Sequence, residues 1–255
     1  MQKEQHEKAK EIIENCISKF LNGNKEKEIE QSQLAEFWRF LSDYEFESLE
    51  LKFSTLTFYL MNFISLSVAG KRYRMTELEV YYYSPKENHC DPYAHKKPEQ
   101  LSCGKWYSHG AGLDITFGNE DNNIYGGILI RGIREMDIDT PKYTSGPLRA
   151  LKEIFFNIKN IFVGDKGLCL QKLNREEILN EPPIQTTRIG LKEKKEDTGN
   201  FFYNANYRYI VELNPEHKFP KKEEVVLQLC KGLSDKEKRE KSEKIIGYNV
   251  KEKGK

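Results

Sequence analysis

The first forty residues place their hydrophobic side chains at helical spacing among many charged ones. Residues 3–22 and 27–42 each carry an apolar stripe that recurs every three or four positions, and Asn22-Gly23-Asn24 separates the two. Such stripes are typical of amphipathic helices that bury one face. We therefore predict two N-terminal helices, which either pack onto the main domain or form an arm that docks a protein partner.

The spacing changes from a helical to a strand pattern after Phe53. Residues 57–68 and 71–83 are rich in β-branched and aromatic side chains, and Ala69-Gly70 between them indicates a hairpin turn. Further strands are predicted at residues 105–109, 113–117, 125–135 and 207–213, with a polar turn at 118–123. The strands follow one another closely, which favours antiparallel pairing.

Helical patterns return in the second half of the chain. Gly146-Pro147 indicates a helix start, because Pro suits the first helical turn. The inward face of this helix would carry Leu148, Leu151, Ile154 and Phe155. From Lys221 the chain predicts two charged helices that divide at residues 232–234, where Ser234 suits a helix cap.

Together these elements predict an α+β fold, a curved and mostly antiparallel β-sheet with surrounding helices. A chain of 255 residues is long enough to bury a substantial core. We expect an N-terminal helical extension at residues 1–45, a main domain at 46–220 and a charged helical tail at 221–255.

Charge and cysteine content narrow the class of protein. The net charge is +1, which argues against a strong nonspecific binder of polyanions, although residues 218–255 carry twelve Lys and Arg against seven Asp and Glu. The five cysteines are scattered and contain no CxxC, as in a reducing compartment. No run of about 18 apolar residues is present. We therefore expect an intracellular monomer, nuclear or cytoplasmic, with no membrane partner.

An unusual polar pattern lies in the predicted strand MTELEVYYYSP at residues 75–85. Because side chains alternate between the two faces of a strand, Glu77, Glu79 and Tyr81 share one face. A solvent-facing edge would explain the two acids. A pair of carboxylates that hydrolyses a glycosidic bond would also explain them, since such enzymes hold two acids about 5 Å apart or somewhat further.

Histidine and cysteine residues cluster after this strand, at His89, Cys90, His95, Cys103 and His109. Histidine and cysteine are the side-chain types that most often bind zinc in proteins. Their spacing includes neither CxxC nor HExxH, so we predict no metal site.

Six motifs in one order connect the acidic strand with the rest of the chain. They are TELEVY at 76–81, DPYAH at 91–95, GKWYSH at 104–109, GGILIRGI at 126–133, SGPL at 145–148, and TRIG at 187–190 followed by YRYIV at 207–211. In order and spacing they resemble the motifs of the alkyladenine (3-methyladenine) DNA glycosylase family, over about residues 50–215. The chain is thus similar to a divergent member of that family.

The resemblance implies base-excision repair, in which the N-glycosidic bond of an alkylated or deaminated purine is hydrolysed after the base is flipped out of the DNA. It implies that Glu79 is the general base that activates water and that Arg131 positions this water. Four residues would contact the base, namely Tyr81, His95, His109 and Thr116. No cofactor or metal is implied. Because the motifs contain no lysine nucleophile, an abasic site without strand cleavage is the expected product.

The chain departs from the family pattern at the point where the family inserts a tyrosine into the duplex. The segment HGAGL at residues 109–113 offers no aromatic wedge, which favours single-stranded, mismatched or RNA substrates. The DNA backbone would be held by local basic residues, namely Arg134, Lys142, Arg149 and Lys152. Two alternatives stay open: a non-catalytic nucleic-acid-binding module on the same fold, and a hydrolase of small nucleosides or glycosides.

Overall fold

The computed structural model of the protein describes residues 2–23, 28–157 and 167–250. Lys27, at the start of the second predicted helix, and the last five residues of the predicted tail lie outside these ranges. The helices within them are α1 (Gln2–Phe20), α2 (Leu34–Ser42), α3 (Leu49–Asn62), α4 (Pro147–Asn157), α5 (Lys222–Leu229) and α6 (Asp235–Ile246). The strands are β1 (Ile64–Val68), β2 (Lys71–Ser84), β3 (His89–Cys90), β4 (Cys103–His109), β5 (Gly112–Phe117), β6 (Tyr125–Glu135), β7 (Lys142–Ser145), β8 (Leu168–Lys172), β9 (Ile184–Thr186) and β10 (Arg208–Ile210).

The ten strands form one sheet, and every pairing among the described strands is antiparallel. Its main path runs β4-β5-β6-β2-β1-β8. The long strand β2 lies in the middle, with β6 along one side and β1, β10 and β3 in succession along the other. This architecture, with helices around the sheet, confirms the predicted α+β class and the helical extensions at both ends.

The prediction of a strand at residues 57–68 is wrong over most of its length, because α3 continues to Asn62 and only Ile64–Val68 is a strand. Residues 53–62 are all buried, so the segment has no polar face from which helical periodicity could be read. A buried apolar run cannot be assigned to helix or strand from its spacing alone. Ser48 marks the true start of the helix, since its side-chain hydroxyl accepts a hydrogen bond from the N–H of Leu51 (3.2 Å).

The N-terminal helices share the main hydrophobic core with the sheet. Ile13 of α1 and Phe37 of α2 are buried in the same cluster as residues of β2, β5 and β6. Trp38 of α2 is fully buried, and its indole N–H donates to the backbone carbonyl of Thr116 on β5 (3.0 Å). The interpretation of these helices as a pair packed onto the main domain therefore agrees with the structure.

Helix α4 presents only part of its predicted face to the core: Ile154 is buried and Leu151 packs against the core, as expected. Ala150 and Ile154 are fully buried, whereas Leu148 and Phe155 are 50% and 41% exposed. Each residue turns a helix by about 100°, so Leu148, two positions before Ala150, points about 200° away from the buried stripe. The helix start predicted at Gly146-Pro147 is confirmed, as is the Ser234 cap of α6, whose hydroxyl accepts from the N–H of Glu237.

Candidate active site

A pair of register shifts in the centre of the sheet sets the orientation of the acidic strand. On β2 and β6, Glu77 lies opposite Gly132 while Leu78 lies opposite Ile130, so Arg131 has no direct partner on β2. Such a bulge turns side chains away from their regular direction and is frequent beside active sites. Arg131 and the two acids of β2 consequently meet on the face opposite the main core.

Glu79 is fully buried, and donors from three segments hold its carboxylate. The Tyr81 hydroxyl donates to Oε2 (2.8 Å), and the Ile189 backbone N–H donates to Oε1 (2.7 Å). The Arg131 guanidinium also donates to Oε2, at 3.3 Å. The interpretation of this acidic pair as a solvent-facing edge is therefore wrong.

Burial raises the pKa of Glu79 above its ordinary value. The positive charge of Arg131, the N–H of Ile189 and the hydroxyl of Tyr81 oppose this rise, because each stabilises the ionised form. A carboxyl group with a raised pKa gains basicity, so it is suited to accept a proton from water near neutral pH.

Glu77 lies beside Glu79 but is covered by two arginines. Arg208 Nε donates to Glu77 Oε1 at 2.7 Å, and Arg131 Nε donates to the same oxygen at 3.0 Å. Two carboxylates and two guanidiniums thus form one buried group of balanced charge, as burial of ions requires. In this arrangement Glu77 holds Arg131, which in turn holds Glu79, so the two acids do not face one bond as an equivalent pair.

A cavity of about 1040 Å³ opens directly in front of this charged group. The cavity is lined by the three residues that donate to the Glu79 carboxylate, namely Tyr81, Arg131 and Ile189. Glu79 itself does not line the cavity and is covered by these residues. This volume is at the upper end of the range for small-molecule sites. The cavity can therefore hold a nucleotide-sized group next to a buried carboxylate.

Rings form much of the cavity wall, contributed by Tyr81, Tyr93, His95, His109 and Phe219. The guanidinium carbon of Arg188 lies 4.7 Å from the centre of the Tyr81 ring, and Arg188 is itself fixed by a buried ion pair with Asp91 (2.6 Å). The Arg188 stack and the Glu79 hydrogen bond together fix the orientation of Tyr81. A held ring of this kind is a preformed stacking surface.

His109 is also held in one orientation. The Ala111 backbone N–H donates to His109 Nδ1 (3.2 Å), which assigns the ring proton to Nε2, and Nε2 donates to Asp114 Oδ1 (3.0 Å). His95 is an exposed residue whose ring packs edge-on against the His109 ring at 4.5 Å. The contact partly desolvates the His95 ring, and this desolvation together with the neighbouring His109 lowers the pKa of His95, so neutral imidazole is favoured there.

The cavity mouth is edged by cationic side chains. Arg149, Lys192 and Lys218 line it, and none of them pairs with a carboxylate among the described residues. A fourth cation, Lys194, donates to the backbone carbonyl of Pro92 (2.7 Å). Asp114 is the one acid that lines the cavity, and His109 is bonded to it. Such a concentration of positive charge favours an anionic ligand.

The structure brings together some of the residues expected in the site and separates others. Those that line the cavity are Tyr81, His95, His109, Arg131 and Arg149. Thr116 does not line it; the residue is fully buried, and its hydroxyl accepts from the N–H of Lys105 (2.9 Å). It therefore does not contact a base in this cavity.

Three of the expected DNA-backbone residues also lie away from the cavity lining. Arg134 forms a bidentate pair with Glu212 (2.7 and 2.8 Å), which uses its charge within the fold. Lys142 lies 3.4 Å from Glu153, and Lys152 is exposed on α4. Besides the expected Arg149, the rim contains Lys192, Lys194 and Lys218, which sequence reasoning missed because they come from irregular loops. The only sequence signal was the surplus of basic residues that begins at Lys218.

The predicted zinc-ligand types do not assemble into a site. Within the described ranges, no three His, Cys, Asp or Glu side chains come together as a set that could hold a metal ion. His89, for example, uses both ring nitrogens on the Tyr82 carbonyl and the Tyr207 hydroxyl, at 3.0 Å each.

None of the helices described here is both long and apolar enough to cross a membrane.

This chain is distantly similar to a viral protein. No protein-family model matches this chain. The chain is 27% identical over 197 residues to the uncharacterized protein L759 of Acanthamoeba polyphaga mimivirus. The aligned residues cover 62% of this chain and 85% of the viral protein.

Proposed function

We propose that this protein is a DNA N-glycosylase that removes alkylated or deaminated purines. The observation that carries the proposal is the buried Glu79 carboxylate, held by Arg131 behind a cavity that is large enough for a nucleotide, walled by rings and edged by cations. The order of six motifs that resemble the alkyladenine DNA glycosylase family supports the same function.

In this mechanism the flipped base stacks on the fixed ring of Tyr81. Electron-poor, alkylated or protonated purines stack strongly on an aromatic face, by the attraction that draws cations to such rings. Glu79 takes a proton from water as the water oxygen bonds to the sugar C1′, and the base leaves with the electrons of the broken N-glycosidic bond. Arg131 donates to Glu79 Oε2 and favours the ionised form of this carboxyl.

Release of a base from a defined oligonucleotide tests this function. End-labelled DNA that contains hypoxanthine, ethenoadenine or 7-methylguanine is incubated with the protein and then cleaved with alkali. We expect the native chain to release at least one of these bases. The Glu79→Gln variant should be about 100-fold slower or worse, because it cannot accept the proton.

A matched control makes the same charge change at an exposed position near the cavity. Glu193 is exposed next to Lys192 and does not line the cavity, so Glu193→Gln should keep the native rate within about twofold. Equal release by native protein and Glu79→Gln would falsify the assignment of the general base. The proposed mechanism leaves an abasic site in an intact strand. Strand cleavage without alkali, for instance by a lysine at the cavity edge, would contradict it.

A second candidate function is binding of nucleic acid without turnover. It is favoured by one observation: no part of Glu79 reaches solvent, so water must enter between Tyr81, Arg131 and Ile189 to meet it. Tight binding of the damaged oligonucleotide with no base release by the native chain would support this candidate. Turnover of free nucleosides but not of oligonucleotides would instead support a small-nucleoside hydrolase.

A further inference from the structure

Leu148 is an exposed apolar side chain at the mouth of the cavity. It is 50% exposed and is the second residue of α4. Seven large hydrophobic side chains are exposed among the described residues, and Leu148 is the one of them that also lines the cavity. It is followed directly by Arg149, an unpaired cation of the rim.

The backbone under Leu148 is rigid and tied to the charged group behind the cavity. Pro147 fixes its own φ angle at the helix start. The Gly146 N–H donates to the Arg131 carbonyl (2.7 Å), and the Ala150 N–H donates to the Gly146 carbonyl (2.9 Å). The backbone at the start of α4 is therefore tied to the backbone of Arg131.

The turn between β4 and β5 lies beside this helix start. A Cβ atom placed on Gly112 would be 3.0 Å from Cβ of Pro147, so the two segments are in contact. The turn offers only Gly110 and Ala111 to the cavity. Neither has a side chain large enough to fill a gap in a stack of bases.

We propose that Leu148 is the wedge that enters the base stack of duplex DNA and fills the gap left by the flipped nucleotide. This inference rests on the proposed function. Leucine is among the apolar side chains that proteins insert between base steps. A rigid support suits this task, since a wedge that moved would not hold the stack open. The next residue, Arg149, supplies a cation for a phosphate beside the gap.

The first test compares excision from duplex and single-stranded DNA. It uses the lesion that the native chain releases fastest. If none is released, only the fluorescence readout described below applies, with hypoxanthine as the lesion. We expect Leu148→Ala to slow excision from the duplex about tenfold, the equivalent of about 1.4 kcal/mol. Excision from the single strand should stay within about twofold, because an unstacked base needs no wedge. Leu148→Met, which keeps an apolar side chain of similar size, should restore most of the duplex rate.

The matched control is Phe156→Ala on the same helix. Phe156 is 82% exposed and does not line the cavity, so its removal should leave both rates unchanged. A loss in Phe156→Ala as large as that in Leu148→Ala would overturn the wedge, since general damage to α4 would then explain both.

A second readout separates the wedge from the chemistry. With 2-aminopurine next to the lesion, binding of the native chain should raise the fluorescence as the base unstacks, and Leu148→Ala should lose this rise at saturating protein. If the native chain excises no base but the rise still depends on Leu148, the glycosylase function fails and the wedge stands. If duplex excision and fluorescence are the same in both proteins, the wedge is overturned and the glycosylase stands. If the native chain gives neither excision nor a rise, both fail.

Discussion

Glu79 differs from a surface glutamate because donors hold both of its oxygens while no part of it meets solvent. These donors determine how readily the carboxyl ionises. Loss of any one of them raises the free energy of the ionised form, and a general base must be ionised to act. The proposed activity should therefore fall as the pH drops through the pKa of Glu79.

Replacement of Tyr81 by Phe tests this dependence at the residue scale. The change keeps the ring but removes the hydroxyl that lowers the pKa of Glu79, so that pKa should rise further. The acidic limb of the pH–rate profile for base excision should then move to higher pH. Tyr83→Phe, two positions along the same strand and outside the cavity lining, should leave the limb in place. A limb that stays put or moves to lower pH in Tyr81→Phe would contradict the role of Glu79.

The bulge between β2 and β6 positions the acids and Arg131 at the scale of elements. Gly132 lies opposite Glu77, and a Cβ atom there would be 2.9 Å from the Glu77 Cβ and 3.1 Å from the Thr76 hydroxyl oxygen. Only glycine permits this approach of the two strands. The close approach is what allows Arg131 to reach both carboxylates.

Gly132→Ala should consequently disturb stability and site together. We expect the free energy of unfolding to fall by about 1–3 kcal/mol, as for other overpacked positions. The excision rate per folded molecule should also fall, because β2 must shift at Glu77. Gly167→Ala, whose added methyl group would meet open space, is the control and should change the unfolding free energy by less than about 0.5 kcal/mol. Denaturant titration measures the unfolding free energy, and the oligonucleotide assay measures the excision rate. An unchanged excision rate in Gly132→Ala would contradict the role of the bulge in positioning the site.

For the whole molecule, the position of charge matters more than its sum. A net charge of +1 gives little long-range attraction for DNA, yet Arg149, Lys192 and Lys218 gather at one cavity mouth. Each phosphate contact releases condensed counterions, which makes binding depend on salt. The affinity for DNA should therefore be set by this rim rather than by the basic C-terminal tail.

Salt titrations of DNA binding test the rim. The slope of log affinity against log salt is negative, and Lys192→Gln and Lys218→Gln should each reduce its magnitude by about 0.9 on duplex DNA. Lys152→Gln removes the same charge from an exposed lysine outside the cavity lining and should leave the slope unchanged. If Lys152→Gln changed the slope and the two rim variants did not, the DNA would lie on the outer face of α4 instead of at the cavity.

Elements whose signals are local can be predicted from the sequence alone. The Ala69-Gly70 hairpin, the helix start at Gly146-Pro147 and the Ser234 cap each depend on a few neighbouring residues, and the structure contains all three. The alternation along β2 likewise places Glu77, Glu79 and Tyr81 on one face. Helix α3 was misread because it is buried all round and has no polar face.

The surroundings of Glu79 and the cations at the cavity edge depend on contacts between distant parts of the chain. Arg208 meets Glu77 across 131 positions of sequence, and Ile189 meets Glu79 across 110. Arg131 reaches them through a bulge, Thr116 is withdrawn into the core, and Lys192 and Lys218 arrive from irregular loops. Residue spacing reports periodicity within one element, whereas these contacts depend on how distant segments pack. The sequence therefore supplied the acid and its ring, and packing supplied their charge partners and the cavity in front of them.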